Sequence, residues 1–170
     1  MPRIGVTGHR KLADVAAVEA EVDAALAAIE ALFPEEPLRI LSSLAEGADR
    51  LVARQVLSRP GARLVAVLPL PRLDYMTDFE SQGSREEFLA LLGEAEAVIE
   101  MPARDSRTEA YEQAGRYVVE HSDVLVAVWD GLPASGRGGT AEMVAWARGL
   151  GKTVCRVWGE VDVSELRRGA

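Results

Sequence analysis

The feature that most constrains this chain is an alternation of short β-branched and aliphatic runs with longer amphipathic segments. The best of the short runs are nearly continuous in Val, Leu and Ile, which is typical of parallel strands covered by helices on both faces. Six such runs predict strands, at residues 4–7, 38–41, 64–68, 97–100, 124–128 and 153–158.

The segments between these runs predict helices, because their apolar residues recur with a period of about 3.6 residues. In the first segment the apolar residues from Val15 to Phe33 fall on one stripe, and Asp14 is the expected N-cap. The stretch 69–83 is the one long irregular segment, where we expect a short helix or a flap. Further helices are expected at residues 46–57, 86–92, 109–121 and 141–150.

Repeated β-α units with short connections predict an α/β fold, because right-handed crossovers wind successive strands into one sheet. We expect a three-layer, doubly wound, Rossmann-like and mainly parallel sheet of about six strands in the order 3-2-1-4-5-6. Residues 1–158 are expected to form a single domain, and residues 159–170 a charged, weakly ordered tail.

Composition narrows the classes of partner. The 170 residues include 19 Lys and Arg against 27 Asp and Glu, a formal net charge of −8. Because a nucleic-acid surface needs clustered positive charge, we expect no nucleic-acid partner. Cys155 is the only cysteine, which excludes an intramolecular disulfide and a cysteine-built zinc site, and no motif indicates a metal or a cofactor. No leader is evident and no apolar run approaches the roughly 20 residues that span a bilayer, so we expect a cytoplasmic protein without a membrane partner.

In a doubly wound sheet, ligands bind beyond the carboxyl ends of the strands. The strongest candidate there is the glycine-rich run 135–140, between a buried strand and a helix. Its glycines let the backbone turn N–H groups toward an anion, and a helix N-terminus adds roughly half a positive charge. The alternative is an ordinary turn in which Thr140 caps the helix. The candidate phosphate-binding residues are Gly136, Gly138, Gly139 and Thr140.

A second segment follows the second strand. Ser43 and Glu46 have capping-box spacing, which explains both residues without a ligand. Gly47 allows close approach of a ligand or of backbone, and Asp49 also complements the helix dipole. We therefore expect this capping in either case, and ligand contact as well by the candidates Ser42, Ser43, Glu46, Gly47 and Asp49.

A third segment is the turn after the first strand, with the candidates Thr7, Gly8, His9 and Arg10. It lacks the spacing of the GxGxxG fingerprint, so an NAD site is not expected. A flexible glycine beside two basic side chains suits a phosphate or a ribose, and the alternative is an exposed basic pair without function.

Two carboxylates, Asp130 and Glu142, bracket the glycine-rich run. Glu142 lies two residues after Thr140, one short of capping-box spacing, so capping does not account for it. It is the candidate catalytic residue, because a carboxylate can accept hydrogen bonds from ribose or stabilise positive charge during glycosidic cleavage. Complementing the helix dipole is the alternative. No catalytic triad order, P-loop lysine or HExxH motif is present.

Taken together, these motifs resemble the SLOG superfamily. The resemblance covers most of residues 3–157 and is carried by residues 5–10 (GVTGHR), 46–53 (EGADRLVA), 121–123 (HSD) and 138–142 (GGTAE). That superfamily includes LOG-type cytokinin-activating phosphoribohydrolases, often mislabelled lysine decarboxylases, and Rossmann-like nucleotide-binding sensors of bacterial conflict systems. The resemblance implies a Rossmann-like fold, a bacterial source and a nucleotide-like ligand.

The sequence departs from the LOG-type enzymes at the positions tied to their chemistry. Their PGGxGTxxE motif places the catalytic Glu three residues after Thr, and that position here, counted from Thr140, is Met143. The Arg and Met of their RKxxM run, counted back from Asp123, fall on Ala114 and Val118. Both groups that the resemblance associates with hydrolysis are missing from their expected places.

The sequence therefore predicts a module that binds a nucleotide or an ADP-ribose-like ligand as a sensor, without turning it over. The alternative is a LOG-like phosphoribohydrolase that cleaves the N-glycosidic bond of a nucleoside monophosphate, with Glu142 as the catalytic group. A third possibility is a scaffold that forms a homodimer through one helix face, whose residues suit a core as well. That face consists of Met143, Val144, Trp146 and Ala147.

Overall fold

A single sheet organises the computed structural model, which describes residues 1–133 and 139–167. Seven strands pair in the order β4-β3-β2-β1-β5-β6-β7, and all neighbours are parallel except β6 and β7. The expectation of an α/β fold with a mainly parallel sheet is confirmed. The strands are β1 (Arg3–Gly8), β2 (Arg39–Ser42), β3 (Arg63–Leu68), β4 (Ala97–Glu100), β5 (Val124–Val128), β6 (Thr153–Val157) and β7 (Val161–Asp162).

Helices connect these strands. The carboxylate of Asp14 caps the first helix as expected, because its Oδ1 accepts a hydrogen bond from the Ala17 N–H at 3.1 Å. None of the helices described here is long and apolar enough to cross a membrane. The helices are α1 (Val15–Leu32), α2 (Ala48–Leu57), α3 (Arg72–Tyr75), α4 (Gln82–Glu94), α5 (Arg107–Glu120) and α6 (Thr140–Gly149), with 3-10 turns at Met76–Asp78 and Ser164–Arg167.

The core lies on both faces of the sheet. Along β5, Val124 and Val126 pack in the cluster that includes the buried faces of α1, α2 and α4, whereas Leu125 and Ala127 pack against α5 and α6. This alternation explains why β5 is apolar at every position and buried throughout. The α6 face proposed above as a possible dimer seam is mainly core, since it buries Met143, Val144 and Ala147.

The expected strand number and order are wrong. The order 3-2-1-4-5-6 would place β4 beside β1, but β4 pairs with β3 at the sheet edge and β5 pairs with β1. Burial explains the difference, because β5 is buried at all five positions and β4 at none. A strand that remains half solvated belongs at an edge, and one that is apolar on both faces belongs at the centre.

Residues 159–167, which we expected to lie in a weakly ordered tail, add the seventh strand and a 3-10 turn. Leu166 is buried in the core, and a carboxylate oxygen of Glu165 accepts a hydrogen bond from the Val154 N–H at 2.8 Å. The other Glu165 oxygen pairs with Arg148 at 3.0 Å. The segment thus covers the outer side of β6, where unpaired backbone groups would otherwise be exposed.

Candidate functional site

A cleft of about 470 Å³ opens where β1 and β5 end. The strands β2, β3 and β4 follow one another on one side of β1, and β5, β6 and β7 follow one another on its other side. In parallel α/β sheets this reversal of strand order is where ligands bind, and small-molecule sites typically measure roughly 300–1,000 Å³. The sequence-predicted candidates that line the cleft are Thr7, Gly8, His9, Arg10, Ser43, Asp49, Asp130, Gly139 and Thr140.

Two backbone segments in close contact, the turn after β1 and the loop before α2, form one side of the cleft. The N–H of Ala48 donates a hydrogen bond to the carbonyl of His9 at 3.0 Å. A Cβ added to Gly47, whose φ is +84°, would lie 2.3 Å from the carbonyl oxygen of Arg10. One added to Gly8 would lie 2.5 Å from the Cβ of Ala48. Backbone packing therefore requires both glycines, whether or not a ligand binds.

His9 and Asp130 meet at the point where the strand order reverses. The Nε2 of His9 lies 3.5 Å from Oδ1 of Asp130, and the His9 ring packs edge-on against Trp158 with the ring centroids 5.0 Å apart. The same Asp130 oxygen accepts a hydrogen bond from the Leu132 N–H at 2.9 Å. Asp130 therefore holds both the histidine and the loop after β5 in place.

The N-terminus of α6 forms another wall. Gly139 is the N-cap, with extended backbone angles and no side-chain cap hydrogen bond. Thr140 is the first helical residue, so the interpretation of Thr140 as the cap is wrong. A glycine cap leaves the first-turn N–H groups without a side-chain oxygen, and the positive end of the helix dipole lies there. Since Gly139, Thr140 and Ala141 all line the cleft, this wall favours an anion.

Asp49 lies in the first turn of α2 and remains partly accessible from the cleft. Its Oδ2 accepts a hydrogen bond from the Ala45 N–H at 3.2 Å. Burial raises the pKa of the Asp49 carboxyl to about 7, against the opposing effects of that hydrogen bond and of the Arg10 and Arg50 charges. The carboxyl therefore changes protonation near neutral pH, and such groups are frequent in functional sites.

Two tyrosines missed by the sequence analysis line the same cleft. Tyr75 comes from α3 and is fully buried, Tyr111 comes from α5, and their ring centroids lie 6.0 Å apart. Within residues 1–133 and 139–167, neither hydroxyl has a hydrogen-bond partner, and both are shielded from solvent. The Arg10 guanidinium lies 5.3 Å from the centroid of the Tyr111 ring. Only tertiary packing brings the two tyrosines together, so no sequence pattern predicts them as site residues. Trp129 also lines the cleft, and the sequence could have predicted it because it directly follows β5.

Some candidates from the loop before α2 do not line the cleft. Ser42 is fully buried, and its hydroxyl accepts a hydrogen bond from the Leu44 N–H at 3.0 Å. Glu46 accepts a hydrogen bond from the Ser84 hydroxyl at 2.8 Å, which joins the loop to α4. Gly47 lies against the carbonyl groups of His9 and Arg10 in the turn after β1. These three residues have structural contacts that explain them.

The capping box expected from Ser43 and Glu46 is wrong. The helix begins only at Ala48, with Gly47 as its N-cap and no side-chain cap hydrogen bond. The loop instead passes through Leu44 with a φ of +56°, so Ser43 and Glu46 are not held in the geometry of a capping box.

The structure describes only part of the glycine-rich run 135–140, namely Gly139 and Thr140. Gly136 and Gly138 lie outside the described residues. Glu142 lies in the first turn of α6 and is not among the residues that line the cleft, so its role in catalysis stays a prediction.

The positions that the LOG-type enzymes use for chemistry do reach this part of the fold. Met143, which stands in place of the catalytic Glu, lines the cleft and packs so closely on Gly115 that an added Cβ would lie 2.8 Å from its sulfur. Val118 also lines the cleft, and Ala114 is buried beneath it. At these positions the cleft wall is apolar.

Comparison with protein-family models gives no match, and neither does comparison with curated proteins. Similar solved structures include the following two. DNA processing protein A from Helicobacter pylori has 17% sequence identity and a TM-score of 0.61 over 99% of this chain and 73% of its own. TM1055, a structural genomics target, has 16% identity and a TM-score of 0.55 over 91% of this chain and 72% of its own. At these identities the likeness establishes the fold alone, a Rossmann-like α/β fold with a mainly parallel sheet.

One expectation is contradicted by this comparison. DNA processing protein A is described as binding single-stranded DNA, so exclusion of a nucleic-acid partner on the basis of charge is wrong for this fold. The physical reason is that a net charge of −8 is a sum over the whole chain, whereas binding depends on the local field. Here the turn after β1 places His9 and Arg10 at the cleft despite the acidic total.

Proposed function

We propose that the protein binds a nucleotide or a nucleotide-derived ligand such as ADP-ribose in the cleft between β1 and β5, as a binding module. The observation that carries this proposal is the glycine-capped N-terminus of α6 in the cleft wall at the reversal of strand order. A phosphate placed there meets backbone N–H groups and the positive end of the helix dipole.

The remaining walls suit the other parts of a nucleotide. Trp129 and Tyr111 offer aromatic surface on which a base can stack, and Asp130 offers a carboxylate near the strand ends. Arg10 supplies a cation beside Tyr111. The combination of an anion-binding helix end with aromatic walls is what distinguishes a nucleotide from a free phosphate as the ligand.

Binding without turnover is favoured by the apolar side chain of Met143 at the wall. The second candidate function is N-glycosidic cleavage of a nucleoside monophosphate, and one observation favours it. The Asp49 carboxyl has a pKa of about 7 and lines the cleft, so it could supply a proton to a departing base.

A substitution at the helix cap tests the proposed function. Gly139→Asp places a carboxylate where the ligand phosphate would lie, and Asp is a favoured N-cap in the extended backbone that Gly139 adopts. We therefore expect an unchanged or slightly higher Tm together with at least a tenfold loss of affinity for AMP and ADP-ribose in isothermal titration calorimetry. Gly139→Asn is the matched control, since it caps equally well without the charge and retains more affinity.

Three further measurements separate the alternatives. Small molecules released from the gently purified, denatured protein are identified by mass spectrometry, which names a bound nucleotide directly. Release of free base from nucleoside monophosphates, lost in Asp49→Asn, would favour the enzyme. Fluorescence anisotropy with a single-stranded oligonucleotide tests the nucleic-acid alternative. If AMP, ADP-ribose and the other nucleotides all fail to bind, or if they bind Gly139→Asp as well as the wild type, the proposal is wrong.

A further inference from the structure

The two tyrosine hydroxyls at the cleft are buried polar groups that the protein itself does not satisfy. Tyr75 is fully buried, and its hydroxyl has no partner among the described residues, nor does that of Tyr111. Buried polar groups in folded proteins are nearly always hydrogen-bonded, because leaving one unpaired forfeits its hydration. Bulk water does not compensate here, since both oxygens are shielded from solvent.

The hydroxyl of Tyr75 lies near the charged groups of the cleft. Tyr75, Asp49 and Arg10 all line the cleft, and the charges of Asp49 and Arg10 act on the Tyr75 hydroxyl, so these groups share one end of the cleft, the tyrosine end. Tyr111 lies beside Tyr75 and beneath the guanidinium of Arg10. Arg10 is exposed, and none of the ion pairs among the described residues involves it, so its side chain can move aside and open this end.

The charge balance of this end decides what it can take. Asp49 and Arg10 both act on the Tyr75 hydroxyl, so this end holds a carboxyl beside a guanidinium rather than an uncompensated charge of one sign. A neutral group with both donors and acceptors meets two hydroxyls that can donate or accept and a carboxyl that can do either with its protonation state. The phosphate of the ligand has the N-terminus of α6 as its own site.

We infer that Asp49, Tyr75 and Tyr111 form a subsite for the uncharged hydrogen-bonding end of the ligand. The inference rests on the proposed function and adds which side chains take that end of the nucleotide. The neutral end that the subsite takes is either the heteroatom edge of the base or the ribose hydroxyls, because both present donors and acceptors together. Tyr75 and Tyr111 are then binding residues that the resemblance to the SLOG superfamily did not indicate.

The test compares Tyr75→Phe and Tyr111→Phe by isothermal titration calorimetry with the four nucleoside 5′-monophosphates, ribose 5-phosphate and inorganic phosphate. Each substitution removes one hydroxyl, so we expect an affinity loss of about three- to tenfold for the nucleotide, without a change for inorganic phosphate. An equal loss with ribose 5-phosphate identifies the sugar as the group bound, and no loss with it identifies the base.

Tyr117→Phe is the matched control. Tyr117 lies on the same helix as Tyr111 but stacks on His121, with centroids 3.8 Å apart, and is not among the residues that line the cleft. Its substitution is expected to change no affinity. If Tyr75→Phe and Tyr111→Phe behave like Tyr117→Phe toward every nucleotide that binds the wild type, or weaken inorganic phosphate equally, the subsite is wrong while the proposed function stands.

A measurement without ligand decides the inference if no nucleotide binds and the proposed function fails. Removing a hydroxyl that lacks a partner leaves the Tm of the ligand-free protein equal or raises it, whereas removing one that is satisfied within the protein lowers it. We expect Tyr75→Phe to melt at or above the wild-type temperature. A Tm lower by several degrees, with Tyr117→Phe unchanged, would mean that the hydroxyl has an internal partner and would overturn the subsite.

Discussion

The loop before α2 and the tyrosine end of the cleft treat their polar groups in opposite ways. In the loop, Ser42 bonds the Leu44 N–H, Glu46 bonds Ser84, and the Ala48 N–H bonds the His9 carbonyl. At the tyrosine end, the hydroxyls have no partner among the described residues, and burial disfavours the charge of a carboxyl. Both regions look polar in the sequence, but only the second has hydrogen-bonding capacity left for a ligand.

This contrast changes what a polar or glycine residue beside a strand end means. Such residues can hold the backbone of the site in shape, and their substitution then costs stability rather than affinity. Residues whose groups remain unsatisfied in the folded protein are the ones expected to change affinity with little cost in stability. Substitutions in the loop before α2 and at the tyrosine end of the cleft can therefore test this difference.

The largest effect is expected from Gly47→Ala. The added Cβ would lie 2.3 Å from the Arg10 carbonyl oxygen, at a φ of +84° that side chains rarely adopt. We expect a loss of at least about 3 kcal/mol in the free energy of unfolding, or roughly 6 °C or more in Tm, measured by thermal denaturation.

Gly83→Ala is the matched control for that substitution, because a Cβ at Gly83 meets nothing within 4 Å and lies inside α4. It should change stability by no more than about 1 kcal/mol. An unchanged Tm for Gly47→Ala would show that the loop and the turn after β1 are not in contact. The claim that residues of this loop hold the backbone of the site in shape would then be wrong.

A smaller and pH-dependent effect is expected from Asp49→Asn. Since the pKa of Asp49 is about 7 in the folded protein, above its ordinary value near 4, the folded state binds more protons than the unfolded state between about pH 4 and 7. The wild type therefore loses stability as pH rises through this window, by a few kcal/mol at most, and the loss is complete above it. In urea denaturation from pH 4 to 8, the free energy of unfolding of Asp49→Asn relative to the wild type should therefore increase across the same window.

Asp123→Asn provides the control of opposite sign. Although burial opposes it, hydrogen bonds and charge from Arg3 lower the pKa of Asp123, so its contribution is present above about pH 4 and lost only as pH falls below that. The difference between Asp123→Asn and the wild type should stay constant from pH 5 to 7. If the stability difference between Asp49→Asn and the wild type is also constant over this range, the Asp49 carboxyl titrates normally and its surroundings are well solvated.

The smallest effect is expected from Glu46→Gln. Gln retains an oxygen that can accept the Ser84 hydroxyl, so stability should change by less than about 1 kcal/mol. Because Glu46 is not among the residues that line the cleft, calorimetry should give an unchanged affinity for any nucleotide that binds the wild type. A tenfold loss would place Glu46 in the site and remove the distinction between the two regions.

Much of the fold and part of the site could be predicted from the sequence. The apolar runs of β1 and β5 predict buried parallel strands, and residues near their carboxyl ends, such as Thr7 and Asp130, line the cleft. The position of β4 could not be predicted, because edge or centre depends on which strands find partners rather than on local pattern. Tyr75 and Tyr111 could not be predicted either, since they lie in a short helix and on another helix, 36 positions apart in sequence.

Local and periodic properties were set by the chain alone: the alternation of strands and helices, the cap at Asp14, and the N-cap glycine of α6, which has no side chain to bond the first-turn N–H groups. Such features depend on neighbouring residues, whose geometry the covalent backbone constrains directly. The tertiary structure alone decided the strand order and which polar groups have partners: Glu46 has one in Ser84, whereas the Tyr75 hydroxyl has none among the described residues. Hydrogen-bond satisfaction is a property of contacts between distant segments, so it exists only once the sheet has assembled.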